Sequence, residues 1–200
     1  MSKFITFEGV EGSGKSTQSK KLQQYLTEKN IPNILTREPG GSEAAEEIRQ
    51  LLISGAADKM DGLCETMLNF AARHDHIEKT IKPALKEGKI VICDRFFDST
   101  LAYQGFAHGV DLDLIRNIQT LSIGDFKPDI TFLIDLDIDA AFERIKNRAE
   151  NNRYEQMDIG FHKKVREGFL KIAEENKDRI AVIDGAKSED EIAQLILSRI

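Results

Sequence analysis

The stretch Phe4-Ile-Thr-Phe-Glu-Gly-Val-Glu-Gly-Ser-Gly-Lys-Ser-Thr17 places Gly9, Gly14, Lys15 and Ser16 at the spacing of a phosphate-binding loop, between an apolar strand-like run and a helix-like one. The spacing follows from what phosphates require. Glycines let the backbone wrap the oxygens, N–H groups at a helix N-terminus point at them, Lys15 supplies a mobile cation, and the Ser16 hydroxyl suits Mg²⁺. Glu11 is the odd member: a carboxylate in an anion-binding loop is unfavourable unless it contacts something other than a triphosphate, which points to a second substrate nearby. A chance match in a glycine-rich turn is disfavoured by the strand-loop-helix setting. The loop alone defines a class rather than a reaction, because switch GTPases, motors and small-molecule kinases share it.

Working outward, five short apolar runs read as strands: 3–7, 33–36, 90–93, 130–134 and 180–183. Helical patterns fill the intervals at 15–29, 43–54, 63–86, 112–123, 139–148, 161–176 and 188–200. Nearly continuous apolar strands alternating with helices predict an α/β fold whose parallel sheet is covered on both faces. Ligands in such sheets bind beyond the carboxyl ends of the strands. The segments 8–16, 37–41 and 94–104 lie there.

The chain has 200 residues, 40% of them apolar, which predicts one domain over 1–200. A net charge of -6, no Trp and no dense basic run argue against polymeric nucleic acid as a partner. Glu8 interrupts the N-terminal apolar run, and no stretch is long enough to cross a bilayer, so a cytoplasmic protein with no membrane partner is expected. Cys64 and Cys93 have no metal-like spacing and read as reduced thiols.

Asp94-Arg95 closes the third strand at the same sheet end as the loop. An acid there can serve an Mg²⁺ shell, and Arg95 can bind an anion bidentately; a salt-bridged strand end is the alternative. In Asp98-Ser-Thr-Leu-Ala-Tyr-Gln-Gly105, the residues Ser99, Thr100, Tyr103 and Gln104 sit at helical spacing and offer groups suited to a base edge and a sugar. Here the alternative is a surface helix with a hydroxyl N-cap. Thr36-Arg-Glu-Pro-Gly-Gly41 has the chemistry of a fixed turn holding Arg37 and Glu38, and Arg49 is an anion ligand or a solvated helix residue. Arg73, at the margin of an apolar helix stripe, either snorkels or donates to a ligand carbonyl. His74 and His76 read as structural. The polar stretch Ala149-Glu-Asn-Asn-Arg-Tyr154, with Arg144, Arg148, Arg153 and Arg166 around it, reads as a short lid over about 148–155, or as a solvated loop.

Along nearly its whole length the chain resembles the bacterial thymidylate kinases. The resemblance is carried by the phosphate loop, Thr36-Arg-Glu-Pro-Gly-Gly41, Ala71-Ala-Arg73, Asp94-Arg-Phe96, Asp98-Ser-Thr-Leu-Ala-Tyr-Gln-Gly105 and Val165-Arg-Glu-Gly-Phe-Leu170. It implies a three-layer P-loop nucleoside monophosphate kinase fold, transfer of the γ-phosphoryl group of ATP to dTMP, Mg²⁺, and a homodimer. ATP would lie on Gly9, Val10, Glu11, Gly12, Ser13, Gly14, Lys15, Ser16 and Thr17, with Ser16 and Asp94 at the metal. For dTMP, Glu11 would face the 3′-hydroxyl, Arg49 and Arg95 the phosphate, Arg73 a thymine carbonyl, and Thr100 with Gln104 the base edge. Tyr103 would crowd a 2′-hydroxyl, with Glu38, Pro39 and Ser99 beside the nucleotide. This phosphate loop has no arginine, so Arg148 and Arg153 inherit the catalytic lid role beside Lys15 and Arg95. The family's usual thymine-stacking Phe is Asn69 here, which leaves Phe70 as the stacking candidate if the helix is rotated or locally rewound; Asn152 replaces a lid Asp and Ser42 a Thr.

Overall fold

The computed structural model describes residues 2–146 and 153–200; Arg148 and the rest of 147–152 lie outside the described residues. Five strands, β1 (Lys3–Glu8), β2 (Asn33–Arg37), β3 (Ile90–Asp94), β4 (Ile130–Asp135) and β5 (Ile180–Asp184), form one parallel sheet in the order β2-β3-β1-β4-β5. All five runs expected from the sequence are strands. Each extends one residue further than its apolar run, onto a charged residue, because backbone pairing continues after hydrophobicity stops; Asp94 still pairs with Phe7 and Arg37.

The sheet has two buried faces, and adjacent residues alternate between them as strand geometry demands. Phe4, Val91 and Leu133 pack beneath α3 (Gly62–His76), α6 (Leu112–Ile123) and α8 (Ile159–Glu175). Their neighbours Ile5, Ile92, Phe132 and Ile134 meet Leu22 and Leu26 of α1 (Lys15–Glu28) and Ile192 and Ile196 of α9 (Glu189–Leu197). The remaining helices are α2 (Glu43–Ile53), α4 (Lys82–Lys86), α5 (Phe97–Thr100) and α7 (Ile138–Ile145). No helix among the described residues is long and apolar enough to cross a membrane.

Two helices depart from the expected outline. The pattern read as one helix over 63–86 is α3, then a π-helical turn Ile77–Ile81, then α4. Pro83 lacks an N–H and would clash with the carbonyl of residue 79 in an unbroken α-helix; the wider turn, in which the Lys82 N–H reaches the Ile77 carbonyl, absorbs the misfit. The second is the segment after β3, where α5 passes into π-helix over Leu101–Ala107. Neither Ser99 nor Thr100 caps this helix: its N-cap is Phe96, with no side-chain bond.

β1 lies at the middle of the sheet, with β3 on one side and β4 on the other. The connections reverse direction there, which opens a crevice beyond the strand ends where the chain leaves β1 and β3.

Candidate active site

The segment from Gly9 to Gly14 turns out of β1 and delivers the chain to α1. Gly9 has φ +142°, and a Cβ there would lie 2.5 Å from the Ile134 carbonyl oxygen. Gly14 caps α1 in the left-handed region without a side-chain bond, so the first N–H groups of the helix remain available to an anion. Lys15 is buried and its Nζ donates to the Val10 carbonyl at 3.2 Å. Burial, with the positive charge of Arg95, lowers the Lys15 pKa. Gly12 is packed against Ala141, Ser13 is buried with no partner for Oγ among the described residues, and Ser16 and Thr17 are exposed on the first turn.

Glu11 faces Arg95 at 2.8 Å and Lys15 at 3.6 Å. Burial works against its charge, but Lys15 and then Arg95 outweigh it and hold the carboxyl at about 2. The protein thus answers much of the electrostatic objection to this acid internally. Arg95 is a non-glycine residue at φ +72°, a conformation that persists only where surroundings over-determine it. They do: its guanidinium donates to Gly9 O (3.1 Å), Ser99 Oγ (3.0 Å), Glu11 Oε1 (2.8 Å) and Tyr103 Oη (3.1 Å). Burial opposes its charge, yet Tyr103, Glu11, Glu8 and Asp94 raise its pKa above the ordinary guanidinium value.

Ser16 Oγ donates to Asp94 Oδ2, which joins the two residues expected at a metal. Asp94 Oδ1 is buried without a hydrogen-bond partner among the described residues. Hard oxygen donors, one of them unsatisfied, fit Mg²⁺, which takes one or two protein ligands and fills its shell with phosphate and water.

An open cavity of about 160 Å³ runs from this loop to α3 and the helix after β3. Lys15, Ser16, Asp94 and Arg95 line it together with Arg49, Glu38 and Pro39 and with Asn69, Ser99, Thr100, Tyr103 and Gln104, of which Ser99 and Tyr103 are bonded to Arg95. Arg49 donates to the Pro39 carbonyl at 2.7 Å, and burial with the nearby Arg37 charge lowers its pKa. Arg73 is buried, donating through Nε to Glu38 (2.6 Å) and through Nη2 to Thr100 Oγ1 (3.1 Å), while Nη1 has no partner among the described residues. The second Glu38 oxygen is taken by His76 Nδ1 at 3.0 Å, so His76 is structural in a specific sense: it anchors the carboxylate that aims Arg73.

Two expected roles do not match the geometry. Phe70 is in the core with its ring under the Arg73 guanidinium, whereas Asn69 lines the cavity. α3 is regular through both residues and the rewound turn starts only at Ile77, too late to swing Phe70 round. Arg153 is fully buried rather than over the phosphate loop. It pairs with Glu65 and donates to the Leu52 and Ala57 carbonyls, each at 3.0 Å, and those acceptors occupy the fork. Arg148 lies outside the described residues.

Two carboxylates at the site had no assigned role in the sequence reading. Glu8 accepts from Phe96 N (2.7 Å) and Ser99 Oγ (2.6 Å); burial, reinforced by Asp98, pushes its pKa up to about 7. Its place at the end of β1, just before the loop, was the available signal. Glu65 had none, since it looks like any acid in a first helical turn.

The parallel sheet order and the phosphate loop define a P-loop nucleoside monophosphate kinase fold. The model for the thymidylate kinase family matches residues 7–196. A curated thymidylate kinase from Geobacillus sp. (strain WCH70) is 47% identical, with 99% of this chain and 95% of that protein covered. One from Wolbachia pipientis wMel is also 47% identical, over 94% and 93%. The crystal structure of thymidylate kinase from Ehrlichia chaffeensis superposes with a TM-score of 0.78 at 41% identity, over 99% and 98% of the two chains. The chain belongs to the thymidylate kinase family.

Proposed function

We propose that this protein transfers the γ-phosphoryl group of ATP to dTMP, giving dTDP. The observation that carries this reading is one cavity onto which both Lys15 and Ser16 of the phosphate loop and Thr100 and Gln104 open, with Arg73 buried behind its wall, bonded to Thr100, and its Nη1 without a partner among the described residues. The loop and Lys15 hold the ATP phosphates. Ser16 and Asp94 would hold Mg²⁺, which when bound neutralises phosphate charge and orients the donor. Arg95 and Arg49 take the acceptor phosphate, Glu11 the 3′-hydroxyl, and Tyr103 fills the space a 2′-hydroxyl needs. Arg73 Nη1 donates to a thymine carbonyl and Gln104 meets the base edge.

The acceptor chemistry agrees. A phosphate monoester has a second pKa of about 6 and is largely dianionic at neutral pH, so the site needs cations in line more than it needs a base. A nucleoside hydroxyl as acceptor would need a base, and the carboxylate Glu38 that lines the cavity has both oxygens committed to Arg73 and His76. With Arg153 committed to Glu65, Arg148 is the lid cation that the sequence still offers for the transition state.

A homodimer is supported by the exposed apolar side chains Leu51, Met67, Leu114 and Leu121 on the adjoining helices α2, α3 and α6. A cytoplasmic location suits these substrates. The test is ADP release with ATP against dTMP, dUMP, dCMP and thymidine. dTMP is expected best, with dUMP weaker by about 1–3 kcal/mol for its missing methyl. Equal turnover of thymidine would overturn the monophosphate assignment.

A further inference from the structure

Glu65 lies on α3, fully buried, one helical turn before Asn69. One carboxylate oxygen is ion-paired with Arg153. The other accepts from Gln104 Nε2 at 2.8 Å and from Tyr154 Oη at 3.1 Å, with His108 Nε2 at 3.6 Å. A carboxylate held by an arginine has only acceptors to offer. It therefore dictates which end of the Gln104 amide faces it: the NH₂ group must turn to Glu65, and the amide oxygen is left for the cavity that Gln104 lines. A free glutamine would present either end with similar ease.

We propose that Glu65 is a positioning residue for base selection, fixing the Gln104 amide so that the cavity receives an acceptor and tying that choice to Arg153 and Tyr154. The inference rests on the reading that dTMP occupies the cavity. Arg73, bonded through Nη2 to Thr100 four residues before Gln104, has in Nη1 a donor without a partner among the described residues. A donor and an acceptor in that order match the C4 carbonyl and N3–H of thymine. They oppose cytosine, which has an amino group at C4 and a bare N3, and unpaired buried polar groups are what make such rejection strong. Without Glu65, the amide can rotate and offer its NH₂ to the cytosine N3. Glu65 also connects the nucleotide to Arg153: the carboxylate that sets Gln104 is the one that immobilises it.

The test compares Glu65→Gln with wild type in kcat/KM for dTMP and dCMP. The dTMP preference is expected to fall at least about tenfold, through a higher KM for dTMP and a gain with dCMP, while the KM for ATP stays within about twofold. An unchanged preference in the folded variant overturns the proposal. Because Glu65→Gln leaves a buried arginine without its counter-charge, Glu65→Gln/Arg153→Met is measured beside it, with folding checked by circular dichroism; the same loss of preference is expected and its absence equally decisive. Orientation is also read without substrate, from hydrogen exchange of the Gln104 side-chain amide by NMR. Protection is expected in wild type and a drop of about tenfold or more in the double variant; an amide indifferent to Glu65 overturns the proposal. If wild type leaves dTMP untouched, the dTMP reading fails and base selection with it, while the exchange result still decides whether Glu65 sets the amide.

Discussion

Glu11 and Arg95 meet at 2.8 Å across the mouth of the phosphate loop, an acid in an anion site paired with a cation that is itself held in a strained backbone conformation. Each fixes the other: Glu11, with the Gly9 carbonyl, holds the guanidinium against the loop, and Arg95 makes the carboxylate tolerable beside a triphosphate. Arg95→Ala is therefore expected to lower kcat/KM for dTMP by about 10²–10³-fold, since a preorganised cation at the acceptor phosphate is lost. The KM for ATP is expected to change only a few-fold, because Lys15 and the loop backbone remain. Steady-state kinetics with each substrate varied checks the split, and selective loss of ATP binding would show Arg95 to be misplaced.

Glu8 and Glu11 have opposite pH signatures. The folded pKa of Glu8 is raised from 4.5 to about 7, so above 4.5 the unfolded chain ionises while the folded one keeps its proton. Stability is then lost as pH rises between those values. Glu8→Gln removes the titration and should gain about 1–3 kcal/mol relative to wild type on going from about pH 5 to about pH 8. Glu11, with its pKa lowered to about 2, contributes stability that is present above 4.5 and fades as pH falls toward that value. Urea unfolding across this range separates the two, and a Glu8→Gln difference that does not vary with pH would contradict the buried, protonated state.

Arg153→Ala tests whether this arginine serves chemistry or architecture. Its removal leaves Glu65 buried without its counter-charge, and a loss of about 3–5 kcal/mol in unfolding free energy is expected. A variant that folds as stably as wild type but has lost kcat alone would return Arg153 to the phosphates.

The contrast between Phe70, Arg153 and the phosphate loop shows what the sequence makes legible. Loop, strands and sheet ends were readable because their physics is local: an apolar run, glycine spacing and a helix start coincide within Phe4–Thr17. The turn from Phe97 to Ala107 was readable as a polar set, but not as a helix that widens to π, because that widening answers packing rather than composition. Which of Asn69 and Phe70 faces the cavity is set by how the regular helix α3 packs on the sheet, a long-range contact. Arg153 is a surface arginine by pattern. Only the fold brings Glu65 and two carbonyls of other segments around it.

The apolar side chains on α2, α3 and α6 predict self-association. Leu121 is 88% exposed and Met67 55%, on helices that pack side by side. Wild type is expected to sediment at twice the mass of one chain, and Met67→Glu/Leu121→Glu at the mass of one, with an unchanged circular dichroism spectrum. A double variant that still sediments at twice the mass would place the interface elsewhere.

Asp94 is the residue on which the metal reading stands. Its Oδ2 accepts from Ser16 and its Oδ1 is buried with no partner among the described residues, an arrangement that costs stability unless something positive is bound there. Asp94→Asn keeps the shape and removes the charge. The Mg²⁺ concentration for half-maximal turnover is expected to rise by about tenfold or more, while thermal stability measured without Mg²⁺ stays equal or increases, because the variant no longer confines a carboxylate beside Glu11 and Glu8. Chelation of Mg²⁺ should abolish turnover in wild type and variant alike. Equal Mg²⁺ dependence in the two proteins would mean that Asp94 only ends its strand, and that the metal is held by Ser16 and the phosphates without it.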